Sequence, residues 1–182
     1  PEIRAKRLDA AYNYPAYYAD GPALHGEAPT RQLESNFNGL RNILGGALNY
    51  LVRFLDNHDR PHFLRPKEPL GILRFAMAFT LLSVGVPYIY YGDEQAFRQV
   101  PANEWLDLEQ SREDMFPGGK FRNPSAPVDG FNASAPMYKL IRAIAAIRKA
   151  FPALRRGEQY VRWSDPDRPG IFAFSRIAGN QE

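Results

Sequence analysis

Phe54-Leu55-Asp56-Asn57-His58-Asp59-Arg60-Pro61-His62 is the stretch on which the reading of this chain turns. An apolar run, Tyr50-Leu51-Val52 and Phe54-Leu55, stops abruptly at two acids and a histidine. That is the pattern of a buried strand, over residues 50–55, that delivers polar groups to its own C-terminal end.

Downstream, residues 71–83 are apolar nearly all round, which predicts a helix buried on more than one side. A second apolar strand, Pro87-Tyr88-Ile89-Tyr90-Tyr91, follows and also ends in a polar burst, Gly92-Asp93-Glu94-Gln95. Strand, helix and strand with short linkers read as a βαβ unit, whose strands are parallel and whose crossover is right-handed. Both polar bursts are therefore expected at one edge of the sheet. Upstream, Leu33, Phe37, Leu40, Ile43, Leu44 and Leu48 recur at helical steps. Gly39, Gly45 and Gly46 oppose a long helix at about 1 kcal/mol each relative to alanine, so it is expected to end near Leu44. The tyrosine-rich segment 8–19 reads as a short strand turning into an irregular or helical start at Pro15, and Gly21-Pro22 and Gly26-Glu27-Ala28-Pro29 mark a loop.

Residues 97–132 show no sustained period, and a loop of that length is usually functional or disordered. The next helix has Ser134 as its expected N-cap and a stripe of Met137, Leu140, Ile141, Ile144, Ile147 and Phe151 opposite Lys139, Arg142, Arg148 and Lys149. Short alternating strands at 158–163 and 170–176 then suggest the opening hairpin of an all-β domain.

Composition bounds the function classes. The chain has 182 residues, 45% of them apolar, enough to bury a core. Its formal charge of +3 is spread over 23 basic and 20 acidic side chains without a like-charge run, which argues against nucleic-acid and membrane-surface partners. Cysteine is absent, so disulfides and thiolate metal sites are excluded while the compartment stays open and secretion remains compatible. The longest hydrophobic segment, 75–86, falls well short of the roughly 20 residues needed to span a bilayer. The N-terminus has neither an initiator methionine nor an apolar signal core, and the chain is expected to continue upstream.

In parallel β/α architectures, chemistry collects just past the C-terminal ends of the strands, where Asp59, His58 and Glu94 are expected. A carboxylate there could stabilise positive charge, act as a base or bind a metal. Equally, aspartate after a strand can be a turn or cap residue, and residue type alone leaves both readings open.

The order of motifs resembles the α-amylase family of glycoside hydrolases. Phe-Leu-Asp-Asn-His-Asp is similar to that family's motif at the end of barrel strand seven. Gly85-Val86-Pro87-Tyr88-Ile89-Tyr90-Tyr91-Gly92-Asp93-Glu94-Gln95 is similar to strand eight. Asn13-Tyr14-Pro15-Ala16-Tyr17-Tyr18 resembles the sixth-strand region, and Arg112-Glu113-Asp114-Met115-Phe116 an Arg-Glu segment in the loop after strand eight. The resemblance spans about residues 8–176. It implies that Asp59 is the third acid of the catalytic trio, gripping a sugar's 2- and 3-hydroxyls more tightly as the oxocarbenium-like transition state forms. It also implies that His58 bonds the same sugar. Arg112 and Asp107 would contact a neighbouring glucose, although a solvated charged loop is an equal reading of that pair.

Retaining glycosidases need two further carboxylates about 5 to 5.5 Å apart. In the family these follow strands four and five, upstream of this chain. Arg7-Leu8-Asp9-Ala10 and Gly26-Glu27 imitate the nucleophile and acid motifs, but Asp9 precedes the sixth-strand motif too closely, so it is assigned to the start of that strand and Glu27 to a surface loop. The loop after strand eight departs from the family pattern, with Arg98-Gln99-Val100-Pro101-Ala102-Asn103 where many relatives carry Gly-Gly-Asn-Asp-Pro. That leaves its substrate contacts open.

The resemblance thus implies an α/β fold: a partial (β/α)8 TIM barrel, strands six to eight with their helices, over 1–157, and the first strands of a β-sandwich over 158–182. Three strands cannot close a barrel, so the remainder of the same polypeptide is an expected partner. The intact protein is expected to hydrolyse α-1,4-glucosidic bonds in starch, glycogen or maltooligosaccharides with retention, with an α-glucan as its substrate. Glycosyl transfer, a non-catalytic glucan-binding module, and an unrelated small β/α module stand as alternatives. No cofactor is expected on this chain. Calcium, common in the family, is held there mainly by upstream residues.

Overall fold

The computed structural model describes residues 8–99, 111–116, 118 and 130–182. Two compact units divide it: the described residues of Pro1–Phe54, Phe79–Tyr88 and Ala146–Glu182 form one, and those of Leu55–Ala78 and Ile89–Ala145 the other.

The first unit holds a three-stranded parallel sheet of β1 (Ala11–Tyr12), β2 (Leu51–Arg53) and β3 (Val86–Pro87), in that spatial order. Ala11 pairs with Leu51 and Tyr12 with Val52, while Val52 pairs with Val86 and Arg53 with Pro87. Helices α1 (Tyr14–Leu24) and α2 (Arg31–Leu44) join β1 to β2, and α3 (Leu70–Leu82) joins β2 to β3. The expected parallel βαβ unit is present. β3 is shorter than expected: Pro87 has no N–H to give, and pairing continues only through Tyr88 N–H to the Arg53 carbonyl at 2.8 Å.

α2 ends at Leu44 as its glycines predict. α1, by contrast, runs straight through Gly21-Pro22, where a loop is expected. Tertiary bonds hold it in place. Asn13 Oδ1 caps the start by accepting from Ala16 N–H at 3.1 Å. The buried Asp20 pairs with Arg53 Nη1 at 2.6 Å, and Gln32 Nε2 donates to the Ala19 carbonyl at 2.6 Å. Phe37, Leu48, Leu51 and Val84 form a core cluster in this unit, with Ala11, Leu40, Leu44 and Val161 packed against them. At the α3–β3 turn Gly85 has φ 109°, and a Cβ there would lie 2.7 Å from the Leu51 carbonyl oxygen, so the strand approaches too closely for any side chain.

α4 (Pro136–Ala150) starts two residues beyond Ser134, whose own N–H bonds Asn132 Oδ1 at 2.8 Å, so Ser134 is not the cap. Of its apolar stripe, Met137 and Ile144 are buried while Ile147 is exposed. Arg148, expected on the solvent side, instead donates to four backbone carbonyls: Leu81 at 2.8 Å, Ser83 at 3.5 Å, Gly85 at 2.9 Å and Leu154 at 2.6 Å. Leu81 and Leu154 lie in the last turns of α3 and of residues 152–156, where helical carbonyls are left without partners, and Ser83 and Gly85 in the turn that follows α3.

After the short α5 (Pro152–Arg156), β4 (Glu158–Ser164) and β5 (Phe172–Ile177) make an antiparallel hairpin with an irregularity between Val161 and Trp163. It belongs to the first unit. Gln159 Oε1 accepts from Val84 N–H at 2.8 Å, and Arg176 donates to the Gly157 and Leu82 carbonyls at 2.8 and 3.0 Å. Thr30 Oγ1 donates to the Ile171 carbonyl, and Ser164 Oγ bonds the Glu34 carboxylate.

Candidate active site

Past β2 the chain first stays inside: Phe54, Leu55, Asp56 and Asn57 are all buried. It then turns sharply. Asn57 Oδ1 accepts the Asp59 N–H at 2.8 Å, and the Asn57 carbonyl accepts the Arg60 N–H at 3.0 Å. This side-chain-closed turn is typical of asparagine, and it sends the next two side chains outward. His58 and Asp59 are 58% and 49% exposed, with His58 Nε2 3.2 Å from Asp59 Oδ2.

Arg112, remote in sequence, completes the group. Its Nη2 lies 3.5 Å from Asp59 Oδ1, and its Nε donates to the His58 carbonyl at 3.1 Å. Three of the four candidate residues are thus brought together. Asp107 lies outside the described residues. Glu94 lies just past the third strand, half-buried, and its carboxylate accepts the Gly92 N–H at 2.9 Å. A half-exposed carboxylate, an imidazole and a guanidinium offer both acceptors and donors to hydroxyl groups, the chemistry that recognises a sugar.

Beneath this trio lies a buried cluster that residue-by-residue reading did not single out. His62 and Asp56 are fully buried, with Nδ1 3.4 Å from Asp56 Oδ2. His62 Nε2 is 3.0 Å from Glu113 Oε2, and Asp93 Oδ1 is 3.9 Å from Nδ1. Burial alone would lower the His62 pKa, but the hydrogen bonds and charges of Asp56 and Glu113 prevail and raise it to about 10. Burial, reinforced by the charge of Asp56 and opposed by His62, pushes Asp93 well above the ordinary carboxylate range. Asp56, His62 and Asp93 are the described residues that gather three ligand-type atoms within 4.8 Å. With carboxylates facing both ring nitrogens, the imidazolium is itself the cation of the cluster. Its members stand inside the quoted motifs, Asp56 and His62 in the first, Asp93 in the second polar burst and Glu113 in the Arg-Glu segment, but nothing in the sequence pairs them.

No protein-family model matches the chain. A cyclomaltodextrin glucanotransferase of Bacillus sp. (strain 1011) is 31% identical over 156 residues, covering 82% of this chain and 19% of that enzyme. A beta/alpha-amylase of Paenibacillus polymyxa is 28% identical over 185 residues, covering 96% of this chain and 13% of that protein. Among solved structures, an α-amylase from Malbranchea cinnamomea superposes with a TM-score of 0.71 at 24% identity, over 94% of this chain and 33% of that one. The chain is related to the α-amylase family.

It shares the mixed helix-and-strand fold of part of an α-amylase, and it spans about a fifth or less of the length of these two curated relatives. The two motif imitators belong to the first compact unit, the His58–Asp59–Arg112 group to the second. Asp9 is exposed just ahead of β1, and Glu27 is exposed in the turn after α1.

Proposed function

We propose that these 182 residues supply the strand six to eight portion of an α-amylase-type (β/α)8 barrel, and that residues 158–182 open the β-domain that follows. The intact polypeptide would act on α-1,4-glucosidic bonds of starch, glycogen or maltooligosaccharides with retention. Asp59 grips the 2- and 3-hydroxyls of the sugar undergoing cleavage, His58 bonds the same ring, and Arg112, with Asp107, meets the adjacent glucose. The observation that carries this reading is the convergence of His58, Asp59 and Arg112 on one half-exposed patch. Hydrogen bonds to sugar hydroxyls that tighten in the transition state contribute several kcal/mol to such cleavage. The nucleophile and general acid would come from upstream in the same polypeptide, as would the main ligands of any calcium ion.

Glycosyl transfer is the second reading, favoured by the cyclomaltodextrin glucanotransferases among the relatives. Both uses share Asp59, since they differ only in whether water or a sugar hydroxyl takes the glycosyl group. The test is turnover of a chromogenic maltooligosaccharide by the intact polypeptide and its Asp59→Asn variant, with chromatography of the products. A loss of roughly a thousandfold or more in kcat on substitution is expected, because the lost grip belongs to the transition state. Longer or cyclic products would select transfer. An unchanged kcat would sink the assignment of Asp59.

A further inference from the structure

We infer that the buried His62–Glu113 pair is a latch that positions Arg112 over the His58–Asp59 turn, so that two residues out of reach of any sugar set how tightly a sugar is held. The inference rests on the functional reading above. Its geometric basis is the way residues 111–113 are fixed.

Arg112 stands between two buried neighbours, Ser111 and Glu113. The Ser111 carbonyl accepts the Tyr90 hydroxyl at 2.8 Å, and Glu113 Oε2 meets His62 Nε2 at 3.0 Å. On its other side the His62 ring reaches Asp56 Oδ2, which also accepts the Phe63 N–H at 2.8 Å. Asp56 and His62 lie three residues before and three after Asp59, so one buried ring ties both arms of the turn to the segment that brings Arg112.

The His62 ring is packed by the rings of Tyr90, Tyr91 and Phe97, with centroids 5.7, 6.4 and 5.5 Å away. A Cβ on Gly92 would come within 3.1 Å of His62 Cε1 and 2.6 Å of Phe97 Cδ2, which leaves glycine, here at φ 93°, as the residue that fits. The surface contacts of Arg112 cannot do this work alone. Its guanidinium and Asp59 are about half exposed at 3.5 Å, and exposed pairs of that kind contribute little to holding a long side chain in one place. The buried pair, with almost no solvent access on either side, is the fixed point.

The test is a double-mutant cycle in the intact polypeptide with a maltooligosaccharide substrate. Glu113→Gln should lower kcat/KM about tenfold, mostly through KM, as expected when ground-state and transition-state binding weaken together. In an Arg112→Met background the same change should add less than about twofold, because residues acting through one another do not add. Tyr90→Phe removes a single hydroxyl and no charge, and should shift KM in the same direction. It serves as the second arm if Glu113→Gln fails to fold. Effects that multiply across the cycle, or a lowered melting temperature with KM unchanged, would make the pair a structural support only and overturn the latch. Should the wild type show no α-glucan turnover, the functional reading fails, and the latch is judged separately by hydrogen exchange. Unchanged deuterium uptake over 111–116 in the variants would overturn it as well.

Discussion

Asp56 and Asp59 stand on one short loop in opposite surroundings. Asp59 faces outward with its charge available, while Asp56 is sealed against the imidazolium of His62. The inner cluster makes stability depend on pH with a definite sign. His62 has its folded pKa raised to about 10 from 6.5, so its contribution is complete below pH 6.5 and is lost as pH climbs through about 10. Asp93, raised well above the ordinary carboxylate range by burial and the charge of Asp56, acts in the same direction, because a raised folded pKa favours the folded form less as pH rises through it. Arg176 works the other way, since burial and Arg148 lower it to about 10, but only above that pH. Urea midpoints of the intact polypeptide should therefore fall between pH 6.5 and 9.5, and fall less steeply in His62→Gln. Parallel slopes for the two proteins would refute the assignment. Asp59 and His58 were legible because they interrupt an apolar run inside a resembling motif. His62 and Glu113 were not, since their partnership links segments far apart in sequence and neither residue type announces a buried pair.

Among the elements, α2 and α3 follow their hydrophobic period to within a residue of the expected ends. α1 does not, because the local breakers Gly21 and Pro22 are overruled by the ion pair of Asp20 with Arg53 and the Gln32 bond to Ala19, which pattern reading cannot see. β3 reads as five residues and pairs as two, since side-chain apolarity says nothing of where ladder bonds stop. The turn into β3 offers a direct test. Gly85→Ala places a Cβ at positive φ, 2.7 Å from a β2 carbonyl, where backbone cannot yield cheaply. It should destabilise the protein by more than about 1 kcal/mol, whereas Gly39→Ala, in the middle of α2 with open space around it, should stabilise by about 0.5 to 1 kcal/mol. Equal and opposite failures of sign in chemical denaturation would show that the close approach is not real.

Taken as a whole, the described chain has three parallel strands, and its outer members β1 and β3 each pair on one side only. Unpaired ladder groups invite pairing with another chain. The 182-residue chain by itself should therefore self-associate as concentration rises, read by light scattering across a dilution series, and, with the nucleophile and general acid proposed to lie outside it, should be inert toward α-glucans. A monomer at every concentration would mean that the two edges are already covered, and turnover by the chain alone would restore Asp9 and Glu27 as catalytic candidates. The relation to α-amylases was legible from motif order, whereas the division into two compact units was not, because contacts between distant segments define it. The node at Arg148 adds an asymmetry of another kind. Its four acceptors are main-chain carbonyls contributed by Leu81, Ser83, Gly85 and Leu154, and a carbonyl survives every substitution made at its own position. The genetic burden of that junction thus rests on one codon: drift at 81 or 154 leaves the acceptors in place, while position 148 alone carries the donor that no neighbour can replace.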